Sequence, residues 1–163
     1  MKDRLRRWLH TGPELEEIVE DPIDQVENPR KRPSAAIIIP IKDEFEILER
    51  HLGILKEQSV KDFDVIVIHA AGFPKMPVAD AGFGIVSMKE SIHLGPAAAY
   101  YAGQKYALMK GYGTIILADV DCLPIGRLLV EKLLDALKKD DSCVIVPGAG
   151  HLNARSGPKE SRA

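Results

Sequence analysis

Two acidic residues stand two positions apart in Asp119-Val120-Asp121, and carboxylates at this spacing are suited to binding a divalent cation. Residues i and i+2 of an extended backbone point to the same side, so both side chains can reach one ion. The two carboxylates repel each other unless a cation or hydrogen-bond donors compensate their charge. Mg²⁺ and Mn²⁺ bind to one or two protein carboxylates together with substrate phosphate oxygens. We therefore predict a Mg²⁺ or Mn²⁺ site at Asp119 and Asp121. The alternative is that both acids only form a turn before Pro124.

The elements that position these acids follow from the hydropathy pattern. Uninterrupted apolar runs rich in β-branched residues predict strands that are buried on both faces, and apolar residues spaced by three or four predict helices. The predicted strands are residues 34–41, 64–69, 84–88, 112–118 and 142–147, and the predicted helices are residues 43–57, 95–110 and 128–139. Asp43 is the expected cap of the first helix. The alternation predicts an α/β fold with a mostly parallel sheet and helices on both faces.

Three polar segments follow the carboxyl ends of predicted strands, namely residues 40–44, 69–72 and 119–124. Open α/β sheets bind their ligands beyond these strand ends. A helix that begins at Gly95-Pro96 adds unpaired backbone N–H groups, which favour anions. The organisation of the chain therefore favours a nucleotide-type site over a structural role.

Composition limits the class of protein further. The 163 residues, 45% of them hydrophobic, are enough for one domain with a core. A formal net charge of −2 argues against a dedicated nucleic-acid binder, because such proteins depend on clustered cations. No apolar run approaches the roughly 18 to 20 residues that cross a bilayer, and the start is too polar for a signal peptide, so we expect a cytoplasmic chain. Cys122 and Cys143 are interpreted as ordinary thiols in a reducing compartment.

The charge pattern divides the chain into three parts. Residues 1–33 are predicted to be a charged extension and linker, residues 34–147 the folded domain, and residues 148–163 a flexible tail. Leu5, Trp8 and Leu9 share one helix face beside several arginines. This face is suited either to covering the edge of the domain or to peripheral contact with the inner face of a membrane.

Several motifs occur in a fixed order: I-I-I-P-I-K-D-E at residues 37–44, D-F-D-V-I-V-I at residues 62–68, L-G-P-A-A-A at residues 94–99 and I-I-L-A-D-V-D-C-L-P at residues 115–124. Together they resemble the family 2 glycosyltransferases, which have a GT-A fold. The resemblance covers residues 35–147. It implies a nucleotide-binding domain of the Rossmann-like kind.

The resemblance also implies a ligand and a set of site residues. The ligand would be a UDP- or GDP-sugar donor, with Asp121 ligating the divalent ion and Asp119 facing the ribose or sugar. The nucleoside pocket would be lined by Pro40, Lys42 and Glu44. Gly95 would present the start of its helix to the donor. The implied activity is transfer of the sugar to an acceptor.

Two departures from the family pattern concern the donor site. The family has an acidic residue after the second strand, whereas this chain has Ile68-His69-Ala70, so His69 either contacts the base or fills the strand end. An Arg-Asn pair of the family is replaced by Tyr100 and Tyr101, which we interpret as helix packing residues. Tyr106 receives the same interpretation.

A third departure concerns catalysis. The family continues into an acceptor-binding half that supplies a carboxylate base, whereas residues 148–163 contain Glu160 as their only acid, with His151 as another weak candidate. No catalytic residue is therefore assigned. A non-catalytic nucleotide-sugar-binding or interaction domain stays an alternative. A metal-dependent nucleotidyltransferase is a further alternative, although the Gly-rich loop typical of that class does not follow the first strand.

Overall fold

Nine helices and strands make up the part of the chain that the computed structural model describes, which comprises residues 14–20, 22–28, 33–70, 81–91 and 95–139. In chain order they are α1 (Leu15–Ile18), β1 (Ile23–Val26), β2 (Ala35–Ile41), α2 (Phe45–Lys56), β3 (Phe63–His69), β4 (Gly84–Lys89), α3 (Pro96–Lys110), β5 (Thr114–Leu117) and α4 (Leu129–Lys139). The predicted strand at 142–147, the tail at 148–163, Cys143 and the Trp8 helix lie outside the described residues.

The five strands form one sheet in the order β1-β4-β3-β2-β5. Neighbouring strands from β4 to β5 are parallel, and β1 pairs antiparallel with β4 at the edge. Every residue of β3 is buried, as the continuous apolar run predicted. The predicted α/β fold with a mostly parallel sheet is confirmed.

Helices cover both faces of the sheet and divide the core into two layers. Leu48, Leu52 and Leu55 of α2 pack with Val130 of α4 against one face. On the other face, α3 packs through small residues and comes close to the strands. A Cβ atom added at Gly103 would lie 2.5 Å from the Ile38 side chain, so glycine permits this approach.

Two elements lie in the segment that the charge pattern assigned to an extension. Leu15, Ile18 and Val19 are buried in the α3-side layer, and β1 extends the sheet beyond β4. Glu20 also forms an ion pair with Lys89, with 2.6 Å between Nζ and Oε1. The sequence pattern missed these elements because both are only four residues long and lie among charged residues.

Two local predictions were wrong. Residues 112–118 were expected to form a buried strand, yet β5 is four residues long, half-buried and 49% exposed at Leu117. Among the described residues, β5 has a neighbouring strand on one side only, and an apolar run does not distinguish such a strand from a central one. Asp43 does not cap α2, because the helix starts after Glu44 and no side chain there makes a capping hydrogen bond.

Candidate functional site

Strand register brings the polar strand ends to one edge of the sheet. Ile41 lies opposite His69, and His69 lies opposite Lys89, so β2, β3 and β4 end level. The Ala118 N–H donates to the Ile38 carbonyl at 3.0 Å, which brings the end of β5 to the same edge. A cavity of about 590 Å³ opens there. Its lining includes all the predicted site residues: Pro40, Lys42, Glu44, Gly95, Asp119 and Asp121.

The two acids of the Asp119-Val120-Asp121 motif are both exposed and follow the last residue of β5. They lie in a turn in which Cys122 N–H donates to the Asp119 carbonyl at 3.1 Å. The prediction of an extended backbone at this point was therefore wrong. The turn nevertheless keeps one ligand atom each of Asp119, Asp121 and Cys122 within 4.8 Å of one another. The two alternatives drawn from the sequence, a turn and a potential cation site, are therefore both present in these residues.

Helices on opposite faces of the sheet hold this turn in place. From α3, the Tyr100 hydroxyl donates to Oδ1 of Asp119 at 2.6 Å. From α2, Nδ1 of His51 lies 3.0 Å from the Val120 carbonyl oxygen, and because a carbonyl only accepts, Nδ1 carries the proton. Burial lowers the pKa of His51, so its ring is neutral at pH 7. These two contacts restrict the orientation of the acidic turn.

Tyr100 has a function beyond the helix packing that the sequence predicted. Its ring packs against the α3-side layer, as expected, and its hydroxyl contacts Asp119. Burial first, and then the hydrogen bond to Asp119, raise the pKa of Tyr100, so the hydroxyl stays a donor. Its position one turn after Pro96, at the helix end that faces the strand termini, is the signal that could have indicated this contact. Tyr106 is buried in the same layer, as predicted.

Glu44 folds back onto the loop that precedes its helix. Its Oε2 accepts hydrogen bonds from the backbone N–H groups of Lys42 at 2.8 Å and Asp43 at 3.2 Å. These bonds, that of Lys42 above all, hold the pKa of Glu44 below its ordinary value. The Glu44 carboxylate is therefore ionised and stiffens the rim of the cavity, and Lys42 is exposed there.

Gly95 allows α3 to begin at the cavity. Its φ of +85° lies in the region that favours glycine, and its missing side chain leaves the first turn of the helix open. No acidic residue stands in that first turn. No carboxylate of the first turn therefore offsets the positive end of the helix dipole, which stays available to an anion.

Sequence reasoning missed Glu90 and Cys122. Glu90 follows β4, is 7% exposed and lines the same cavity, and its position just after a predicted strand was the available signal. Burial first, and then the neighbouring charge of Asp121, raise the pKa of the Cys122 thiol. Nε2 of buried His69 lies 2.7 Å from Ser87 Oγ, which favours the strand-end interpretation of this histidine.

The charge of the cavity determines which ligands suit it. Among the described residues that line the cavity, one cationic side chain, Lys42, faces four acidic ones: Glu44, Glu90, Asp119 and Asp121. Such a surface disfavours a free phosphate anion and favours a cation that brings phosphate with it. Carboxylate oxygens suit both Mg²⁺ and Mn²⁺. The donor set therefore fits the predicted divalent ion. The weak base candidates, His151 and Glu160, lie outside the described residues.

Comparison with known proteins gives a match in fold. One solved structure, the mannosyltransferase PcManGT from Pyrobaculum calidifontis in complex with GDP-Man and Mn²⁺, matches with a TM-score of 0.52 and 21% identity. The match covers 82% of this chain. This chain has a glycosyltransferase-like fold. It spans 38% of the length of that neighbour.

At the level of sequence, the chain shows no similarity to a described family. No protein-family model matches the chain, and no curated protein matches it. Among the described residues, no helix has both the length and the apolar character that crossing a membrane requires.

Proposed function

We propose that the chain binds a nucleoside-diphosphate sugar as the donor-binding part of a metal-dependent glycosyltransferase of the family 2, GT-A type. One observation carries this proposal: the cavity at the strand ends gathers the Asp119–Asp121 pair, the start of α3 and the loop after β2. The glycosyltransferase-like fold supports it. So does the fold neighbour, which is described in complex with GDP-Man and Mn²⁺.

Asp119 and Asp121 are the proposed holders of the cation, and the thiol of Cys122 lies close enough to be a further donor atom. A bound divalent ion supplies positive charge that offsets the charge developing on a diphosphate leaving group. Tyr100 and His51 keep the acidic turn in one arrangement, so little reorganisation is needed when the cation enters. A preorganised site binds more tightly for this reason.

The rest of the cavity is suited to the nucleotide. Pro96 has no N–H, and the Ala98 and Ala99 N–H groups donate to the Gly95 carbonyl at 3.1 and 3.3 Å, so the backbone N–H of Ala97 is the proposed contact of a phosphate oxygen at the start of α3. Pro40, Lys42 and Glu44 are the proposed lining of the nucleoside pocket, and Lys42 contributes a cation there. The proposed positions place the phosphates under α3 and the nucleoside over the ends of β2 and β3.

Sugar transfer also requires a base that deprotonates the acceptor hydroxyl. Of the four described acids that line the cavity, Asp119 and Asp121 are assigned to the cation, Glu44 is bonded to its own loop, and Glu90 is buried in the wall. We therefore expect the acceptor-side base to come from outside the described residues.

Binding of metal and nucleotide tests the proposal directly. Mn²⁺ with GDP or UDP is expected to raise the melting temperature of the full chain, since ligand at 100 times Kd adds about 2.7 kcal/mol to stability. EDTA should reverse the shift. Asp121→Asn should abolish it, because the variant keeps the shape of the side chain and loses the charge that holds the cation.

Asp135→Asn is the matched control, because Asp135 is an exposed aspartate on α4. It should leave the melting shift unchanged. Release of nucleoside diphosphate from a GDP- or UDP-sugar then measures whether the bound donor reacts. The proposal is wrong if no nucleotide stabilises the chain with Mn²⁺, or if Asp121→Asn binds like the unmodified chain.

A further inference from the structure

Glu90 places a buried carboxylate in the wall of the donor cavity. It follows β4, where Val86 and Met88 point into the α3-side layer. Because side chains alternate along a strand, Glu90 continues on the same side, toward the start of α3. Its backbone N–H donates to the His69 carbonyl at 2.9 Å, and its backbone forms a bridge with Val19. The position of Glu90 is therefore fixed from two sides.

The distance from Glu90 to the acidic turn matches the size of a nucleotide. Asp119 follows β5, and two strands, β3 and β2, lie between β4 and β5. Three strand spacings of about 4.8 Å, combined with a stagger of two residues of about 3.3 Å each along the strands, place the two ends about 16 Å apart. This is comparable to an extended nucleoside diphosphate measured from the edge of its base to its terminal phosphate. A diphosphate held at Asp119 and Asp121 can therefore place its base at Glu90.

Within the part of the chain that the structure describes, the neighbouring strand ends offer no equivalent group. At the end of β3, His69 is buried and its Nε2 lies 2.7 Å from Ser87 Oγ, and the next residue is Ala70. At the end of β2, the carboxylate of Glu44 accepts hydrogen bonds from its own loop. Among the described residues that line the cavity, Glu90 is therefore the carboxylate best placed to contact a base.

We propose that Glu90 is a specificity-determining residue that selects guanine, so that the donor is a GDP-sugar; this inference rests on the proposed function. Guanine presents two adjacent donors, N1–H and the exocyclic 2-amino group, which match the two oxygens of a carboxylate. Uracil presents one N–H between two carbonyl acceptors, and adenine presents an amine beside an acceptor nitrogen. A carboxylate accepts about four hydrogen bonds, so Glu90 can bind a base while keeping its contacts within the protein.

The expected discrimination follows from the hydrogen bonds at stake. Uracil would leave one carboxylate oxygen without its donor and place a carbonyl oxygen beside it. Loss of one hydrogen bond to a charged group corresponds to about a tenfold to hundredfold change in affinity. GDP should therefore bind at least about tenfold more tightly than UDP or ADP.

A nucleotide series tests the proposal in the presence of Mn²⁺, with Kd measured by calorimetry on the full chain. The expected order is GDP, then inosine diphosphate, which lacks the 2-amino group, and then UDP and ADP. Glu90→Gln should weaken GDP binding about tenfold or more and leave UDP binding nearly unchanged, since an amide offers one acceptor in place of two. Glu49→Gln, an exposed glutamate on α2, is the matched control and should change neither affinity.

The outcomes separate the two proposals. If no nucleoside diphosphate binds with Mn²⁺, the proposed function itself fails. If GDP and UDP bind equally to the unmodified chain, or if folded Glu90→Gln keeps the guanine preference, the role of Glu90 is refuted while the donor site stands. If Glu90→Gln does not fold, Glu90→Asp and the comparison of GDP with inosine diphosphate decide in its place. In that comparison, equal affinities refute the contact with the 2-amino group.

Discussion

Removal of a single hydroxyl group, in Tyr100→Phe, tests whether the acidic turn is preorganised. The hydroxyl donates to Oδ1 of Asp119 at 2.6 Å, and the ring packs against the α3-side layer. Phenylalanine keeps the ring and therefore the packing. It removes the donor that fixes the Asp119 carboxylate, which must then be ordered by the incoming cation.

The size of the effect follows from the exposure of the pair. Hydrogen bonds to charged groups contribute roughly 1.5–3 kcal/mol. Asp119 is exposed and Tyr100 is half-buried, so the lower end of that range applies. An effect of about 1.4 kcal/mol corresponds to a tenfold change in affinity. We therefore expect Tyr100→Phe to weaken Mn²⁺-dependent nucleotide binding about tenfold.

Calorimetric titration of Mn²⁺ with GDP measures this change. Tyr101→Phe is the matched control, because it removes a hydroxyl from the next residue of α3 and keeps the ring that lies 5.9 Å from the Lys105 ammonium. The control should bind like the unmodified chain. Equal affinity of Tyr100→Phe and the unmodified chain, with both folded, would show that the hydrogen bond does not organise the site.

Two further predictions concern stability. Gly103→Ala should lower the free energy of unfolding by about 1–3 kcal/mol in urea titrations, because its Cβ would overlap the Ile38 side chain. Gly53 lies at an exposed position of α2, and a Cβ added there would contact nothing within 4 Å, so Gly53→Ala should instead raise the free energy of unfolding by about 0.5–1 kcal/mol. The opposite order of the two variants would contradict the packing argument. Burial lowers the pKa of His51, so the unfolded chain takes up the proton first. This contribution to stability is present above pH about 6.5 and is lost as pH falls below it, and His51→Gln should flatten that pH dependence in the same titrations.

Much of the fold follows from local sequence patterns. The Ala35–Ile41 strand is a continuous apolar run, the Phe63–His69 strand contains another at residues 65–68, and α3 extends from Pro96 to Lys110, as predicted. Gly111 ends that helix with a φ of +86°. Hydropathy and the conformational preferences of proline and glycine are properties of neighbouring residues, so they can be recognised without the tertiary structure. The strand-end rule likewise predicted that residues from 40–44 and 119–121 line the cavity, whereas His69, from the third predicted segment, is not among its lining residues.

The contacts within the site were decided by the tertiary structure. The sequence presents Asp119 and Asp121 as a pair, but the donors that hold their turn, Tyr100 and His51, come from helices on opposite faces of the sheet. Glu90 and the acidic turn lie at the two ends of one cavity because β3 and β2 lie between β4 and β5 in the sheet. That separation depends on strand order. Local patterns determine which segments form strands and helices, whereas strand order and register determine which side chains meet. Those depend on packing between residues that are distant in the chain.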